Sequence, residues 1–345
     1  MQAPPGLGPL HRVAVGLVLA LLALGGCERP PAGPADDRPL VVTTTTMITD
    51  LARQLAGDRV RVVGVIPPGL NPHTFEPTPD TSVLFRKARL VLYNGLHLEG
   101  KLVHMFEGLG PRAVALAEDP RIVVRASEWP QGAPDPHVWW NARHFMVFTE
   151  KARDALIALD PDGAETYRRA AARYLAELET LDGRIRQAVA RIPPERRYLI
   201  TSHDAFYYYG AAYGLTVDAV LGTSTDASPL PLRVQELARL VVQHRIPAIF
   251  HETAVSESLN ELVSRVMAQA AKDGQPVMIP PEPLYSDSLD VPGRPAGTYL
   301  GALRENTRII VSALAGEDVR PLLQGMPGSP ATVPAPGPAE SPDGR

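Results

Sequence analysis

The chain has 345 residues, of which 45% are hydrophobic and 21% charged, and its formal net charge is −4. This composition supports one large or two ordinary folded domains and excludes a wholly disordered protein. A slightly acidic chain does not neutralise phosphates, so nucleic acid is not an expected partner. The single cysteine, Cys27, excludes an intrachain disulfide and a metal cluster held by several thiolates.

The N-terminal segment has the pattern of an export signal. Residues 13–24 form an uncharged apolar run, which is too short to span a membrane as a helix. The run ends in LGGC at residues 24–27, which resembles the lipobox of bacterial lipoproteins, where the cysteine is acylated and becomes the mature N-terminus. We therefore predict a lipoprotein signal peptide over 1–26, lipidation at Cys27 and a tether over 27–39. The protein would then be extracytoplasmic and anchored to the bacterial membrane; a plain signal peptide with a stray cysteine is the alternative.

Residues 40–159 alternate between β-rich and helical patterns. Predicted strands cover 40–44, 60–66, 90–93 and 113–115, and predicted helices cover 48–56, 80–88 and 99–107. This alternation is typical of a parallel, doubly wound sheet with helices on both faces. The segment is therefore predicted to be an N-terminal α/β lobe.

A long helix is predicted next, over residues 160–192. Asp160 and Pro161 are typical of a helix start, and no further proline occurs before Pro193. Apolar residues from Tyr167 to Val189 recur at helical spacing and form one stripe. Such a helix would run roughly 45 Å at ~1.5 Å per residue and act as a rigid connection. A coiled-coil helix is the alternative.

Residues 193–318 repeat the first pattern and predict a second α/β lobe. Predicted strands cover 198–201, 216–220, 248–251 and 277–279, and predicted helices cover 206–213, 231–243, 258–271 and 299–315. The predicted fold class is therefore α/β, with two doubly wound lobes joined by one long helix. Residues 319–345, rich in Pro, Gly and Ala, are predicted to be a disordered tail.

Four loops at the ends of predicted elements carry candidate metal ligands, two in each lobe. They contain His73, His137, His203 and Asp287. Ligands of open α/β sheets bind beyond the carboxyl ends of the strands, so an interlobe cleft could collect all four side chains. One loop histidine is a weak signal, but three imidazoles and a carboxylate suit a divalent first-row metal ion. The lack of sulfur ligands disfavours copper(I), and the lack of an oxygen-rich cage disfavours calcium.

The sequences around these four residues are NPHTFEPTP, DPHVWWN, TSHDAFYYYGAAYGL and YSDSL, in this order. They resemble the motifs of the zinc/manganese solute-binding lipoproteins of metal ABC transporters, the cluster A-I or TroA/ZnuA-like family, over about residues 40–315. The resemblance implies that His73, His137, His203 and Asp287 occupy the four ligand positions in an interlobe cleft. It also implies that the metal is passed to the membrane subunit of an ABC permease.

Two features bear on which metal is bound. Zinc-uptake members often carry a long His/Asp-rich loop before the second ligand, whereas residues 108–134 contain no histidine. Dedicated manganese members usually have glutamate at the third ligand position, where this chain has His203. Nitrogen ligands favour zinc. We therefore expect one divalent ion, with Zn²⁺ favoured and Mn²⁺ second.

Two further residues are candidates for positioning a ligand. His144 follows the second ligand loop. Glu252 follows a predicted strand, and at that position its carboxylate could accept a hydrogen bond from a ligand histidine. Asp204 and Asp290 are rivals for the carboxylate ligand, but only Asp287 stands at the position that the resemblance indicates.

The sequence thus predicts a monomeric, non-enzymatic protein that captures zinc or manganese and delivers it to an ABC permease. A zinc-dependent hydrolase is an alternative, because three histidines with one open position are also a catalytic arrangement. Closure of that position by Asp287 would argue against it. A lipoprotein adhesin is the other alternative, and it would need an exposed surface for a partner.

Overall fold

The computed structural model describes residues 36–126, 134–225 and 232–323. The predicted signal peptide, the lipidation site at Cys27, most of the tether and the tail beyond residue 323 lie outside the described residues. Within the described ranges, no helix combines the length and the apolar character that a membrane span requires.

The first lobe is built on a four-stranded parallel sheet with strand order β2-β1-β3-β4. Its strands are β1 (Leu40–Thr43), β2 (Arg61–Gly64), β3 (Leu90–Tyr93) and β4 (Ala113–Ala115). Its helices are α1 (Thr46–Ala56), α2 (Pro79–Lys87), α3 (Val103–Glu107) and α4 (Ala142–Leu159). In β1, Val42 lies opposite Val63 on one side and Val91 on the other, so this central strand is buried on both faces and reads as a continuous apolar run.

The second lobe contains a regular parallel pair, β5 (Tyr198–His203) and β6 (Thr216–Leu221). Its helices are α6 (Tyr207–Tyr213), α7 (Arg233–Gln243), α8 (Glu257–Lys272) and α9 (Tyr299–Ala315). The prediction of regular strands at 248–251 and 277–279 is wrong, since only single parallel bridges form, at Ala248–Met278 and Glu252–Leu284. Prolines directly before 248 and directly after 279 remove donors that a longer ladder would need.

The long helix, α5, runs from Ala164 to Val189 and follows a 3-10 turn at Pro161–Gly163. It is shorter than the predicted 160–192. Asp160 does not cap it, because its carboxylate accepts hydrogen bonds from Arg59 Nε at 2.6 Å and Tyr167 Oη at 2.6 Å. The predicted apolar stripe is buried along its whole length, from Tyr167 to Val189.

One buried core extends through both lobes. Leu51 of α1, Leu178 of α5 and Ile310 of α9 belong to the same cluster of apolar side chains. A separate cluster of apolar side chains around Val42 covers the other face of the first sheet. A further cluster, around Val220, lies in the second lobe. The lobes are therefore joined by close-packed side chains along α5, which resist a large change in their relative orientation.

Helical structure is present after residue 318, over residues 320–323. A short helix, α10 (Arg320–Leu323), occupies the start of the segment that was predicted to be a disordered tail, and Val319 and Leu323 are buried in the shared core. The prediction that the tail begins at 319 is therefore wrong. Val319 directly precedes α10, and two apolar residues are too short a signal to stand out in a proline-rich context.

Candidate metal site

The structure brings all four predicted ligand residues together between the lobes. His73 lies in the loop after β2, His137 directly before a 3-10 helix that leads into α4, His203 at the end of β5, and Asp287 in the loop before α9. One ligand atom from each residue lies within 4.8 Å of the others. A group of this size could hold a single metal ion.

The three imidazoles point their Nε2 atoms toward one another and toward the carboxylate. Nε2 of His73 and Nε2 of His137 are 3.1 Å apart. Asp287 Oδ2 is 3.1 Å from His203 Nε2 and 3.7 Å from His73 Nε2, and its Oδ1 is 3.5 Å from His137 Nε2. Only His73 retains solvent contact, with 6% of its side chain exposed, whereas the other three side chains are fully buried.

Several polar atoms at this site lack well-aligned hydrogen bonds. Within the described part of the chain, both carboxylate oxygens of Asp287 and both ring nitrogens of His203 are buried without a hydrogen-bond partner of acceptable geometry. Leaving buried polar atoms unsatisfied costs about 1–3 kcal/mol for each group. A divalent cation among them would satisfy the oxygens of Asp287 and Nε2 of His203. Three nitrogens and one or two oxygens are a donor set that suits zinc and other first-row metals.

Burial and mutual proximity shift the pKa values of these groups. Burial lowers the pKa of His73 to about 3, so this imidazole is neutral at physiological pH. Burial alone would lower the pKa of His203, but the carboxylates of Glu252 and Asp287 raise it well above 6.5. Burial alone would raise the pKa of Asp287, but the imidazoles, His203 foremost, hold it well below its usual range. Without metal, His203 and Asp287 therefore form an ion pair.

The orientation of His137 is set by Asp135, two residues earlier. Asp135 Oδ1 accepts a hydrogen bond from the backbone nitrogen of His137 at 3.0 Å and lies 2.8 Å from its Nδ1. This contact places the proton on Nδ1, so the lone pair of Nε2 faces the site. Sequence reasoning missed this role, although the Asp-Pro-His spacing contains the signal.

Glu252 is the carboxylate next to the backbone and Nδ1 of His203. Glu252 Oε1 accepts a hydrogen bond from the backbone nitrogen of His203 at 2.8 Å, and Oε2 lies 2.7 Å from its Nδ1. Asn260 of α8 in turn accepts from Glu252 N at 3.0 Å and donates to Glu252 O at 2.9 Å. Sequence reasoning missed Asn260, because nothing in its neighbourhood along the chain marks it.

The loop that carries His73 is attached to the second lobe. Asn71 Oδ1 accepts a hydrogen bond from His73 N at 2.9 Å, while its Nδ2 donates to Thr225 Oγ1 at 3.0 Å and to Ala254 O at 2.9 Å. Asn71 thus holds the His73 loop and two segments of the second lobe at once.

Three other candidates lie outside the group of four. His144 packs against the ring of Tyr208, with ring centroids 5.5 Å apart, and no hydrogen bond or ring contact within the described ranges joins it to a ligand residue. Asp204 forms an ion pair with Arg125. Asp290 accepts a hydrogen bond from Tyr285 Oη at 3.2 Å. Neither rival carboxylate belongs to the group.

The fold and the site define a two-lobed α/β protein with a buried His₃Asp group that could hold one metal ion. Residues 41–313 match the model of the ZnuA family, described as the periplasmic component A of a zinc-uptake complex. The chain belongs to this family. The family resemblance and the fold class predicted from the sequence are thereby confirmed.

The similarity to individual relatives extends over most of the protein. The chain is 35% identical to the manganese-binding lipoprotein MntA of Bacillus subtilis over 303 residues, which is 86% of this chain and 97% of that protein. It is 35% identical to the zinc-binding protein TroA of Treponema pallidum over 283 residues, 81% of this chain and 90% of that protein. The solved structure of the TroA protein superposes with a TM-score of 0.75 at 33% identity and covers 81% of this chain and 99% of that one.

Proposed function

We propose that this protein captures one divalent transition-metal ion outside the cytoplasm and delivers it to an ABC permease for uptake. The observation that carries the proposal is the convergence of three imidazole Nε2 atoms on the carboxylate of Asp287, with buried polar atoms that lack aligned hydrogen bonds. The family description, which names a component of a zinc-uptake complex, supports transport as the purpose of this site.

Donor chemistry favours zinc over manganese as the metal. The relatives do not decide which metal is bound, since one is named manganese-binding, one zinc-binding and one, YfeA of Yersinia pestis, iron-binding. Three nitrogens and one carboxylate form a ligand set that suits zinc, while manganese suits sites richer in oxygen. Mn²⁺ is the second candidate.

Capture fits the site better than hydrolysis does. A catalytic zinc site keeps one coordination position for water or substrate, whereas four protein ligands complete a tetrahedral site. The burial of His137, His203 and Asp287 also leaves little access for a substrate. The zinc hydrolase considered from the sequence is therefore not proposed.

We further propose that Cys27 is lipidated and anchors the monomer to the membrane, where the permease subunit is its partner. The relative MntA of Bacillus subtilis, matched over 97% of its length, is named a lipoprotein. The LGGC sequence at residues 24–27 carries this part of the proposal.

Metal analysis of the chain purified without chelator, followed by competition titrations with zinc and manganese, tests the proposal. We expect one ion per chain, and an affinity at least tenfold lower in His73→Ala and in His137→Ala, since each removes one of four ligands. His104→Ala is the matched control, because His104 is 95% exposed and contacts Glu107. A parent chain that retains no metal, or variants that bind as tightly as the parent, would overturn the proposal.

A further inference from the structure

We propose that Arg125 is a latch between the two lobes, which keeps the metal site closed and slows metal release. The inference rests on the proposed metal-capture function. Arg125 lies in the segment after β4, next to a single antiparallel bridge between Ala126 and Pro134. It is a positioning residue, because its guanidinium contacts the partners of the ligands and not the ligands.

The guanidinium group contacts both lobes. Its Nη2 lies 3.3 Å from Asp135 Oδ2 in the first lobe and forms an ion pair with Asp204 Oδ2 in the second. The same group lies over the ring of Tyr207 at the start of α6, with Cζ 3.7 Å from the ring centroid. Only 18% of the Arg125 side chain is exposed, so water screens these contacts weakly.

Both carboxylates are close to a metal ligand. Asp135 uses Oδ1 to hold Nδ1 of His137, and it uses Oδ2 to contact Arg125. Asp204 directly follows His203, and its backbone nitrogen donates to Gly222 O at 3.1 Å, which fixes it at the end of β5. A continuous set of contacts therefore runs from His137 in the first lobe, through Arg125, to the residue beside His203 in the second.

The backbone of Arg125 is also fixed from both sides. Its nitrogen donates to Tyr208 Oη at 2.9 Å, and Tyr208 Oη donates to Asp135 O at 3.0 Å. Its carbonyl accepts from Asp135 N at 3.0 Å. Because the backbone is already ordered, the side chain loses little further freedom when it bridges the two carboxylates.

Charge explains why this contact holds the cleft closed. Asp135 and Asp204 are largely buried and face the same cation, so removal of Arg125 would leave two like charges opposed in a poorly solvated place. The interlobe contact at Asn71 uses neutral groups, and charge-assisted hydrogen bonds are roughly twice as strong as neutral ones. The shared core along α5 resists wide opening, so release of metal depends on local contacts of this kind.

The test compares zinc release from the full chain after addition of excess chelator. We expect Arg125→Gln to release zinc at least tenfold faster than the parent, and Arg125→Lys to give an intermediate rate, since lysine restores the charge but not the planar fork. Asp204→Asn should also speed release, and the double variant should be no faster than Arg125→Gln alone. Arg121→Gln is the matched control, because the ion pairs of Arg121 with Asp119 and Glu150 lie within the first lobe.

A second measurement separates a latch from a residue that shapes the coordination sphere. With Co²⁺ in place of zinc, the visible absorption spectrum of Arg125→Gln should match that of the parent, since all four ligands remain. A changed spectrum, or release at the parental rate, would overturn the latch. If Arg125→Gln does not fold, the rates of zinc release from Arg125→Lys and Asp204→Asn test the latch instead. A parent that binds no zinc would instead overturn the proposed function.

Discussion

The indole nitrogen of Trp140 donates a hydrogen bond to the carbonyl oxygen of Ser286 at 2.9 Å. Trp139 donates to the same carbonyl at 3.3 Å. Ser286 directly precedes Asp287, and the two tryptophans directly follow the loop of His137. These hydrogen bonds therefore hold the carboxylate of Asp287 in the second lobe in position opposite the imidazole of His137 in the first. Both tryptophans also pack in the shared core.

Trp140→Phe should weaken metal binding, because phenylalanine keeps an aromatic ring but cannot donate to Ser286. We expect the dissociation constant for zinc to rise about fivefold, corresponding to one net hydrogen bond of about 1 kcal/mol. The smaller ring should also lower the free energy of unfolding by about 1–3 kcal/mol. Phe148→Leu is the control. Phe148 is a buried residue of α4, so its substitution should lower the free energy of unfolding and leave the affinity for zinc unchanged. Parental affinity in Trp140→Phe would contradict the prediction, with affinity measured by chelator competition.

Metal binding should release about one proton per ion at neutral pH. The carboxylates of Glu252 and Asp287 raise the pKa of His203 well above 6.5, so the metal-free chain carries a proton there that the metal must displace. Affinity should therefore rise with pH across the neutral range, by about tenfold per pH unit for one displaced proton. Calorimetry in buffers of different ionisation enthalpy counts the protons. Glu252→Gln should release fewer protons per bound ion than the parent. An absence of proton release from the parent would contradict the protonation of His203 in the metal-free chain.

His203→Glu should narrow the preference for zinc over manganese. The substitution replaces an imidazole nitrogen with a hard oxygen, which disfavours zinc more than manganese. The change should be partial, since His73, His137 and Asp287 remain in place. Competition titrations of parent and variant measure the ratio of the two affinities. An identical ratio would place His203 outside the coordination sphere.

Asp50→Asn should stabilise the protein at neutral pH. Asp50 accepts a hydrogen bond from Tyr299 N at the start of α9 at 2.8 Å, and burial raises the pKa of its carboxyl from 3.8 to about 6. The folded chain thus holds this proton more tightly than the unfolded chain does, so stability falls as pH rises from about 4 to about 6. Asparagine avoids this loss, and because the side chain is only partly buried we expect a gain of about 1–2 kcal/mol above pH 6.

Denaturant unfolding of parent and Asp50→Asn between pH 4 and pH 8 measures this difference. The gain should shrink as the pH approaches 4, where the parent carboxyl is protonated. Asp154→Asn, at a largely exposed position of α4, is the control. A gain that does not depend on pH would show that the charge of Asp50 is not its cause.

Cys27→Ser should move the protein from the membrane fraction to the soluble fraction. Serine cannot replace the thiol as the group that is acylated, so the predicted anchor would be lost. Fractionation of cells that express parent or variant, with detection of the attached lipid, measures the outcome. A serine variant that still partitions with membranes would refute the lipobox interpretation.

Motifs and periodic patterns in the sequence predicted much of the fold and of the candidate site. The helix predicted at 299–315 agrees with α9 at both ends, because Thr298 caps its start and Gly316, with a φ of 74°, ends it in the left-handed conformation. Three of the four candidate ligands have a proline or a strand end beside them, and Asp287 stands in the short motif YSDSL. Such signals are local, so a single sequence contains them in full.

Only the tertiary structure decided which side chains orient those ligands. Asn260 contacts Glu252 within the second lobe, and Arg125 contacts Asp204 across 79 positions of the chain, a contact that exists only once the two lobes have packed together. The tertiary structure also decided that residues 248–251 form a single bridge and that Val319 and Leu323 belong to the core. The sequence by itself determined the four candidate ligands and most of the helices, since both depend on neighbours along the chain. The partners of the ligands depend on neighbours in space.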